Sequence, residues 1–277
     1  MNTIFDQMFS RYIINTRDDE LNAVHEIMQQ VTLAALYREG FFHRAAFYGG
    51  TCLRIFHGIK RFSEDMDFSL LEKNDSFTLE PYFDAIIKEF TSIGRKVEIS
   101  KKNKKNISNI ESAFLKDNTE VYDLAFNTER TVKVKIEVDK NPPLNFNTEH
   151  RLLLLPFSFM TRCFTIPGLY AGKMHALLFR SWRNRVKGRD WYDFEWYVRN
   201  NYPINFKHLK ERAIQTGNAI DKEFTRDHFL ALLKNKIKKT NIDMVKADVL
   251  PFIQEPEALN IWSTDYFIRL ADMIKFE

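Results

Sequence analysis

The chain has 277 residues, 44% of them hydrophobic and 28% charged, so it can bury one large core or two smaller ones. Its 14% aromatic content, with 25 Phe against only 9 Gly and 8 Pro, excludes collagen-like, coiled-coil and low-complexity classes. The net charge of +4 comes from 41 basic and 37 acidic residues, and this excess bears on partners only where the basic residues cluster.

The first half of the chain predicts alternating helices and strands. Apolar residues at helical spacing predict a helix over residues 18–39, which ends at Gly40, and a short apolar stretch predicts a strand at residues 45–48. The later elements of this half are predicted as a helix at 51–56, a strand at 62–71, a helix at 79–93, and strands at 97–100, 119–126 and 131–139. The charged run at 101–106 predicts an exposed loop. These elements predict an α+β protein with a mixed sheet and flanking helices.

The second half of the chain predicts mostly helices. Their predicted bounds are 169–186, 191–199, 206–217, 222–238, 243–253 and 263–276. Four prolines punctuate the stretch around residues 143–165, where a domain boundary is expected. We therefore predict an α/β core over residues 1–155 and a helical bundle domain over residues 156–277.

A glycine turn and a pair of aspartates are the most informative motifs. Gly49 and Gly50 lie between a predicted strand and a predicted helix, where backbone N–H groups can approach a phosphate closely. Asp65 and Asp67 are two residues apart on a strand, so both side chains project from one face. Neighbouring carboxylates repel unless a cation lies between them, which predicts a divalent metal, Mg²⁺ or Mn²⁺. Taken alone, the pair is equally compatible with a solvated strand face.

The strand at 131–139 offers a third carboxylate. Its apolar residues alternate with Lys133, Lys135, Glu137 and Asp139, so these four share the other face. Glu137 beside Asp65 and Asp67 would complete the two-metal arrangement used for in-line displacement at phosphorus, with Asp139 as the alternative. Without the glycine turn, the same alternation describes an exposed edge strand.

A basic segment follows in the second half. From Lys173 to Arg189, both included, there are six Lys or Arg residues and no acidic residue. Lys173, Arg180, Asn184 and Lys187 recur at helical spacing, which predicts a basic stripe along one helix face. Such a stripe suits a triphosphate or a nucleic-acid backbone. Two acids end this run, which indicates that Arg189, Asp190 and Asp193 organise charge at a site; a helix amino-terminal cap by Asp190 is the equally supported alternative.

These motifs together resemble those of the AbiEii/AbiGii-type nucleotidyltransferase toxins of bacteria. The resemblance spans about residues 45–199 and rests on four motifs in the family's order. They are Gly49-Gly50-Thr51-x-Leu-Arg, Arg61-Phe-Ser-Glu-Asp65-x-Asp67-Phe-Ser, Lys173, and Arg189-Asp190-x-Tyr-Asp193. The resemblance implies a DNA polymerase β-like nucleotidyltransferase core joined to a helical bundle. It also implies metal-dependent transfer of a nucleoside monophosphate from an NTP, modification of tRNA 3′ ends by some members, and a cognate antitoxin.

The residue patterns and the resemblance together give the expected roles of individual residues, and Glu137 enters through the strand pattern alone. The expected catalytic residues are Asp65, Asp67, Glu137, Lys173 and Asp190, of which Asp65, Asp67 and Glu137 are the expected metal ligands. The expected nucleotide-binding residues are Gly49, Gly50, Thr51, Arg54, Ser63, Lys173 and Arg189. Whether Glu137, Asp139 or Asp190 completes the metal shell stays open at this point.

The leading hypothesis is an enzyme that transfers a nucleoside monophosphate from an NTP to RNA. It would need Mg²⁺ or Mn²⁺, take tRNA as its expected acceptor, and act as the toxin of a bacterial toxin–antitoxin or phage-defence system whose antitoxin is a protein or an RNA. A metal-dependent nuclease is the first alternative, although Lys135-Ile136-Glu137 reverses the acid-x-Lys order of restriction-type nucleases. A small-molecule nucleotidyltransferase and a nucleic-acid-binding protein with a relic site are the others.

The same sequence predicts a cytoplasmic protein without a membrane partner. Two cysteines, Cys52 and Cys163, cannot form a disulfide framework, which suits a reducing compartment. The first 20 residues contain no signal-peptide pattern. The most apolar stretch, residues 152–160, is too short to span a bilayer and contains Pro156.

Overall fold

A computed structural model of the chain describes residues 3–101, 119–126, 132–180, 186–220 and 223–277. The chain divides into two compact units. The sheet unit comprises Met1–Gly58, Phe62–Pro142 and Thr148–Cys163, and the helical unit comprises Ile59–Arg61, Pro143–Asn147 and Phe164–Glu277.

Within the described residues, seven strands form a mixed sheet in the sheet unit, with strand order β3-β4-β5-β2-β1-β7-β6. The strands are β1 (Ala45–Tyr48), β2 (Asp65–Leu70), β3 (Val97–Lys101), β4 (Thr119–Phe126), β5 (Val132–Asp139), β6 (Thr148–Leu153) and β7 (Phe159–Phe164). β1 pairs antiparallel with β2 and parallel with β7, while β2 pairs parallel with β5. The central strands β2 and β5 thus run in the same direction and carry the predicted carboxylates.

The described helices of the sheet unit are α1 (Ile4–Phe9), α2 (Arg17–Arg38), α3 (Gly49–His57) and α4 (Phe83–Ser92). α2, α3 and α4 pack on the sheet, and α1 packs on α2. A capping box between Thr16 and Asp19 begins α2, which packs on α4 and β5. The buried residues Val134, Ile136 and Val138 alternate with more exposed charged residues along β5. This period of two places the core under one face of the sheet and leaves the other face for polar side chains.

The helical unit holds the other helices of the described residues. They are α5 (Ile166–Phe179), α6 (Gly188–Arg199), α7 (Phe206–Gln215), α8 (Arg226–Lys239), α9 (Ile242–Val249) and α10 (Thr264–Asp272), with a two-stranded sheet of β8 (Pro203–Ile204) and β9 (Lys275–Phe276). α5 packs on α6 and α7, and α6 packs on α9. Among the described helices, none is both long and apolar enough to cross a membrane.

Gly188 explains the close packing of α6 on α9. A Cβ atom at this position would overlap the carbonyl oxygen of Val245 and lie 2.9 Å from the backbone nitrogen of Val249. The Gly188 N–H also donates to Asp248 Oδ2 at 2.8 Å. Glycine therefore lets the two helix backbones approach each other.

The predicted fold class is confirmed, because a mixed sheet with flanking helices precedes a set of helices. Several predicted element bounds are wrong. The helix predicted over 263–276 ends at Asp272, because Lys275–Phe276 pair with Pro203–Ile204 as strand β9. The strand predicted from residue 62 begins at Asp65, because Gln29 Nε2 donates to the carbonyls of Ser63 and Glu64, at 2.9 and 3.1 Å. The helix predicted over 169–186 ends at Phe179, where its apolar periodicity stops and Arg180 becomes extended.

Two strands of the mixed sheet were not predicted, and one residue of the predicted basic loop lies in a strand. Strands β6 and β7 were not predicted, because prolines around them indicated a boundary and because β7 pairs with β1, a strand distant in sequence. Lys101 ends β3 and its Nζ lies 3.0 Å from Glu80 Oε1, so it is not in a loop. The rest of the predicted basic loop, residues 102–106, lies outside the described residues.

Candidate active site

The glycine turn leads directly from β1 into α3. The helix begins at Gly49, two residues earlier than predicted, and Gly49 has a φ of +79°. A Cβ atom there would overlap the carboxylate of Asp67 and lie 2.9 Å from its Cγ. Glycine thus serves two purposes at this position, since it permits the left-handed backbone and leaves room for the Asp67 carboxylate.

Thr51 connects the first turn of α3 to strand β2. Its side chain is fully buried, and its hydroxyl donates a hydrogen bond to the backbone carbonyl of Asp65. No side-chain hydrogen bond from the N-cap residue Tyr48 covers the first turn of α3. Thr51 therefore positions Asp65, and the amino end of α3 offers backbone N–H groups of the kind that bind phosphate.

The strand register decides which acidic residues are neighbours. Asp67 lies opposite Glu137 on the parallel pair β2–β5, and Asp65 lies opposite Lys135. All four are on the face opposite the buried Met66 and Ile136. Asp139 is opposite Ser69, which is two residues beyond Asp67 along β2. The predicted juxtaposition of Glu137 with the aspartate pair is therefore present, and Glu137 is nearer to that pair in register than Asp139.

Lys135 supplies a cation to this carboxylate group. Its Nζ lies 2.7 Å from Glu137 Oε1 and 3.8 Å from Asp65 Oδ1. Burial alone would lower the pKa of Lys135, but the carboxylates of Glu137, Asp65 and Asp67 outweigh it and raise that pKa above its ordinary value. The lysine is accordingly charged, and it neutralises part of the repulsion among the three acids.

Carboxylate oxygens are ligands that a divalent cation prefers, and Asp65, Asp67 and Glu137 supply them from one face of the sheet. The space that Asp67 occupies exists only because Gly49 has no Cβ. In the described part of the chain, no three His, Cys, Asp or Glu side chains converge as closely as a bound metal requires. With Lys135 between them, the carboxylates Asp65, Asp67 and Glu137 would have to draw together around an ion.

Two further residues expected to bind nucleotide, Arg54 and Ser63, make contacts within the sheet unit. Arg54 Nε lies 2.6 Å from Glu26 Oε2, and its guanidinium stacks 4.4 Å from the ring centre of Phe62. Ser63 presents its carbonyl to Gln29. The ion pair and the stacking hold Arg54 close to α2 and to the chain that leads into β2.

Lys173 is part of a buried ion-pair network in the helical unit. Its Nζ lies 2.8 Å from Asp190 Oδ1 and 2.8 Å from Asp193 Oδ2. The two aspartates are three residues apart on α6, so both face α5. Burial would raise the pKa of Asp190, but Lys173, Lys187 and Arg180 outweigh it and hold that pKa well below its ordinary value. Asp190 lies in the first turn of α6 and forms an ion pair there, while Lys187 is the N-cap residue.

Arg61 completes this network. It is 1% exposed, and its Nε and Nη2 donate to the two carboxylate oxygens of Asp193, with an Nη2 to Oδ2 distance of 2.6 Å. Burial would raise the pKa of Asp193, but Arg61 and Lys173 lower it. Arg61 and Asp193 were quoted in the motifs but were not among the expected catalytic or nucleotide-binding residues. The Asp-x-x-Asp spacing, which places two acids on one helix face, pointed to Asp193, whereas no local pattern pointed to Arg61.

Arg189 and Lys187 lie beside this network. Arg189 is buried, with its guanidinium 4.0 Å from the ring centre of Phe252. Burial, and then the charge of Arg180, lower the pKa of Lys187 to about 8, although Asp190 opposes the shift. The predicted basic stripe along one helix is wrong, because α5 ends before Arg180 and Lys187 precedes the next helix. Asn184, and with it Arg183 and Arg185, lies outside the described residues.

Comparison with known families tests the family that the sequence motifs predicted. The family model described as "Nucleotidyl transferase AbiEii toxin, Type IV TA system" matches residues 31–274. The chain belongs to the AbiEii nucleotidyl transferase toxin family. This confirms the family expected from the glycine turn, the aspartate pair and the later motifs, and it makes the chain a nucleotidyltransferase toxin in class.

Solved structures show the fold that this AbiEii family member shares. The nucleotidyltransferase toxin MenT4 of Mycobacterium tuberculosis is 16% identical, with a TM-score of 0.58 and coverage of 96% of this chain and 93% of MenT4. The JHP933 protein of Helicobacter pylori is 19% identical, with a TM-score of 0.49 and coverage of 91% and 89%. A search of curated protein sequences gave no significant match. The similarity to MenT4 shows a common fold.

Proposed function

We propose that this AbiEii family member transfers a nucleoside monophosphate from an NTP to the 3′ end of an RNA, with tRNA as the acceptor. The observation that carries the proposal is the shared strand face of Asp65, Asp67 and Glu137 beside the Gly49 turn. Carboxylates on neighbouring strands next to a helix amino end combine the two groups that phosphoryl chemistry needs, namely cation ligands and phosphate-binding N–H groups.

The residues of the sheet unit divide into two roles in this proposal. The N–H groups at the start of α3 bind phosphate oxygens of the NTP, because the end of a helix carries partial positive charge and unpaired donors. Asp65, Asp67 and Glu137 would hold Mg²⁺ or Mn²⁺, which when bound stabilises negative charge on the α-phosphate. Lys135 balances the same carboxylates.

The reaction exchanges one bond at phosphorus for another. The acceptor hydroxyl loses its proton to solvent and its oxygen forms a bond to the α-phosphorus. The bond from that phosphorus to the bridging oxygen of the β-phosphate breaks, and pyrophosphate leaves. Lys173 is proposed to stabilise charge on the triphosphate, a role that the resemblance gives it. Asp190 and Asp193 hold its ammonium in one place, which reduces the entropy lost when it binds a phosphate.

The proposed partners follow from the family. Its description names a type IV toxin–antitoxin system, so we propose a cognate antitoxin, either a protein or an RNA. The tRNA acceptor is proposed from the resemblance and from the basic residues of the helical unit. Arg180 and Lys187 are candidates for contact with RNA phosphates.

The test is direct transfer of label. Purified full-length protein is incubated with each α-³²P-labelled NTP, Mg²⁺ and total RNA, and the products are separated on a denaturing gel. We expect label in the tRNA band for one or more NTPs. Asp67→Asn should abolish labelling, while Glu98→Gln, which removes an exposed carboxylate from another strand of the same sheet, should not.

The other outcomes identify the alternatives. Shortened RNA without label would indicate a nuclease, and label confined to a small molecule would indicate a small-molecule nucleotidyltransferase. Labelling that survives Asp67→Asn would contradict the carboxylate site. Glu137→Gln and Asp139→Asn, compared in the same assay, decide between these two residues as the third ligand, and we expect the Glu137 variant to lose more activity.

A further inference from the structure

The helical unit contains a cleft of about 320 Å³ between helix ends. Its lining includes four cationic side chains, Arg180, Lys187, Lys236 and Lys239. Arg180 follows the last residue of α5, Lys187 precedes the first residue of α6, and Lys236 and Lys239 lie in the last turn of α8. Segments more than 40 residues apart in sequence therefore bring their positive charges to one place.

Positive charges outnumber negative ones in the lining. Among the described lining residues, Asp190 is the acidic one; it pairs with Lys173 at 2.8 Å and also feels the charges of Lys187 and Arg180. Burial and the neighbouring Arg180 lower the pKa of Lys187, as expected where cations crowd together. A group of cations that converges on an open cleft favours a multivalent anion.

Lysines at the end of α8 are also explained by stabilisation of the helix dipole, and the structure separates this explanation from a role in the cleft. Basic residues in the last turn stabilise a helix dipole wherever they point. Lys238 lies in the same turn but does not line the cleft, whereas Lys236 and Lys239 do. The helix dipole therefore explains why lysines occur in this turn, but it does not explain why Lys236 and Lys239 line the cleft.

The shape of the cleft favours phosphate over base recognition. Its volume is at the small end of the range of ligand pockets, about 300 to 1,000 Å³. The aromatic residue in the described lining, Trp191, is 3% exposed and packs edge-on against Phe267 with ring centres 5.0 Å apart. A buried indole offers no face for a base to stack on, so cation contacts remain as the means of recognition.

We propose that this cleft binds phosphate groups of a nucleic-acid or nucleotide ligand through Lys236, Lys239, Lys187 and Arg180. The choice of ligand rests on the proposed nucleotidyl transfer, which supplies two sources of phosphate, the backbone of the RNA acceptor and the chain of the NTP. Recognition through phosphates makes binding independent of base sequence and dependent on salt.

The experiment measures binding, so that it does not depend on turnover. The double variant Lys236→Ala/Lys239→Ala is compared with Lys234→Ala/Lys238→Ala, which removes two positive charges from the same helix outside the cleft lining. One arm titrates a fluorescent ten-nucleotide oligouridylate at several salt concentrations. The other arm titrates each NTP with Mg²⁺ by calorimetry. Circular dichroism melts check that both variants remain folded.

We expect the cleft variant to bind the oligonucleotide more weakly and to lower the slope of log affinity against log salt by about 0.7 for each lost contact. The control variant should keep a steeper slope. A loss in the oligonucleotide arm alone assigns the cleft to the RNA acceptor, and a loss in the NTP arm alone assigns it to the nucleotide. Binding by the cleft variant equal to that of the control in both arms would overturn the inference.

The proposed function is tested separately from this cleft. Label transfer by the wild-type protein decides the reaction whether or not the cleft binds phosphate. Transfer together with unchanged binding by the cleft variant would reject the cleft alone. Binding that depends on Lys236 and Lys239 without any transfer would reject the reaction and leave the phosphate site in place.

Discussion

The ammonium of Lys135 lies 2.7 Å from Glu137 Oε1, on the same strand face as the aspartate pair. The strand that supplies one of the proposed metal ligands thus also supplies a cation. Because Lys135 is also 3.8 Å from Asp65 Oδ1, a divalent ion and this ammonium would compete for the same carboxylates. This competition can be measured.

Lys135→Met should make the protein more responsive to Mg²⁺. Without the ammonium, the carboxylates repel each other and Tm in EDTA should fall, while Mg²⁺ should raise Tm by more than in the wild type. Differential scanning fluorimetry with and without Mg²⁺ measures both effects. Lys133→Met, on the same strand face but exposed, is the control. An equal Mg²⁺ response in the wild type and both variants would contradict a cation site at these carboxylates.

Gly49→Ala should abolish nucleotidyl transfer through a collision with Asp67. Gly58→Ala is the matched control, because Gly58 has a similar φ of +73° but nothing within 4 Å of its missing Cβ. Both substitutions should cost about 1 to 2 kcal/mol from the left-handed backbone. The two variants should therefore differ clearly in transfer activity, while the losses of unfolding free energy measured by chemical denaturation should be more similar. Full activity in Gly49→Ala would show that the Asp67 carboxylate need not occupy that space.

Asp193→Asn should destabilise the protein strongly. It leaves the buried Arg61 without its carboxylate and removes one partner of Lys173, and loss of one member of a buried ion pair costs about 3 to 5 kcal/mol. Asp272→Asn, which removes the partner of Lys234 in an exposed pair at 2.5 Å, should cost less than about 1 kcal/mol. Urea denaturation at pH 7 measures both. Similar losses in the two variants would contradict a special role for the buried network.

The same network predicts a loss of stability in acid. The pKa values of Asp190 and Asp193 lie below their ordinary value of 3.8, so the folded state resists protonation where the unfolded state accepts it. Their contribution is complete above about pH 4 and is lost as the pH falls toward the folded-state pKa. Urea midpoints at pH 5 and pH 3 should differ more in the wild type than in Asp193→Asn. Parallel behaviour of the two proteins would count against the assignment of these shifts.

Gly188→Ala should lower Tm without changing the carboxylate face of the sheet unit. The added Cβ would press on the backbone of α9 at Val245 and Val249, which cannot move aside as a flexible side chain can. Gly172→Ala, in α5 with open space around its missing Cβ, is the control and should leave Tm unchanged or raise it. An unchanged Tm in Gly188→Ala would show that α6 and α9 can separate at little cost.

Local sequence was sufficient for the strands of the site. The alternation of Val134, Ile136 and Val138 with charged residues predicted both a strand and its polar face, because side chains in a strand point to opposite sides in turn. The paired glycines likewise predicted the turn before α3, where only glycine accepts the observed backbone at Gly49. These features depend on residues a few positions apart.

Features that depend on distant residues were missed or wrong. Arg61 and Asp193 are 132 residues apart, and no local pattern joins them. The predicted basic stripe failed at Arg180, because helical periodicity in polar residues does not say whether an apolar surface continues to support the helix.

The sequence by itself determined which strand and helix faces carry charge, since the periods of two and 3.6 residues follow from backbone geometry. The tertiary structure decided which charges meet. The parallel register of β2 and β5 put Lys135 opposite Asp65 and Glu137 opposite Asp67, and the packing of α5 on α6 put Lys173 between two aspartates. The physical reason is that a charge removed from water needs a partner nearby, and only the complete fold determines which partner that is.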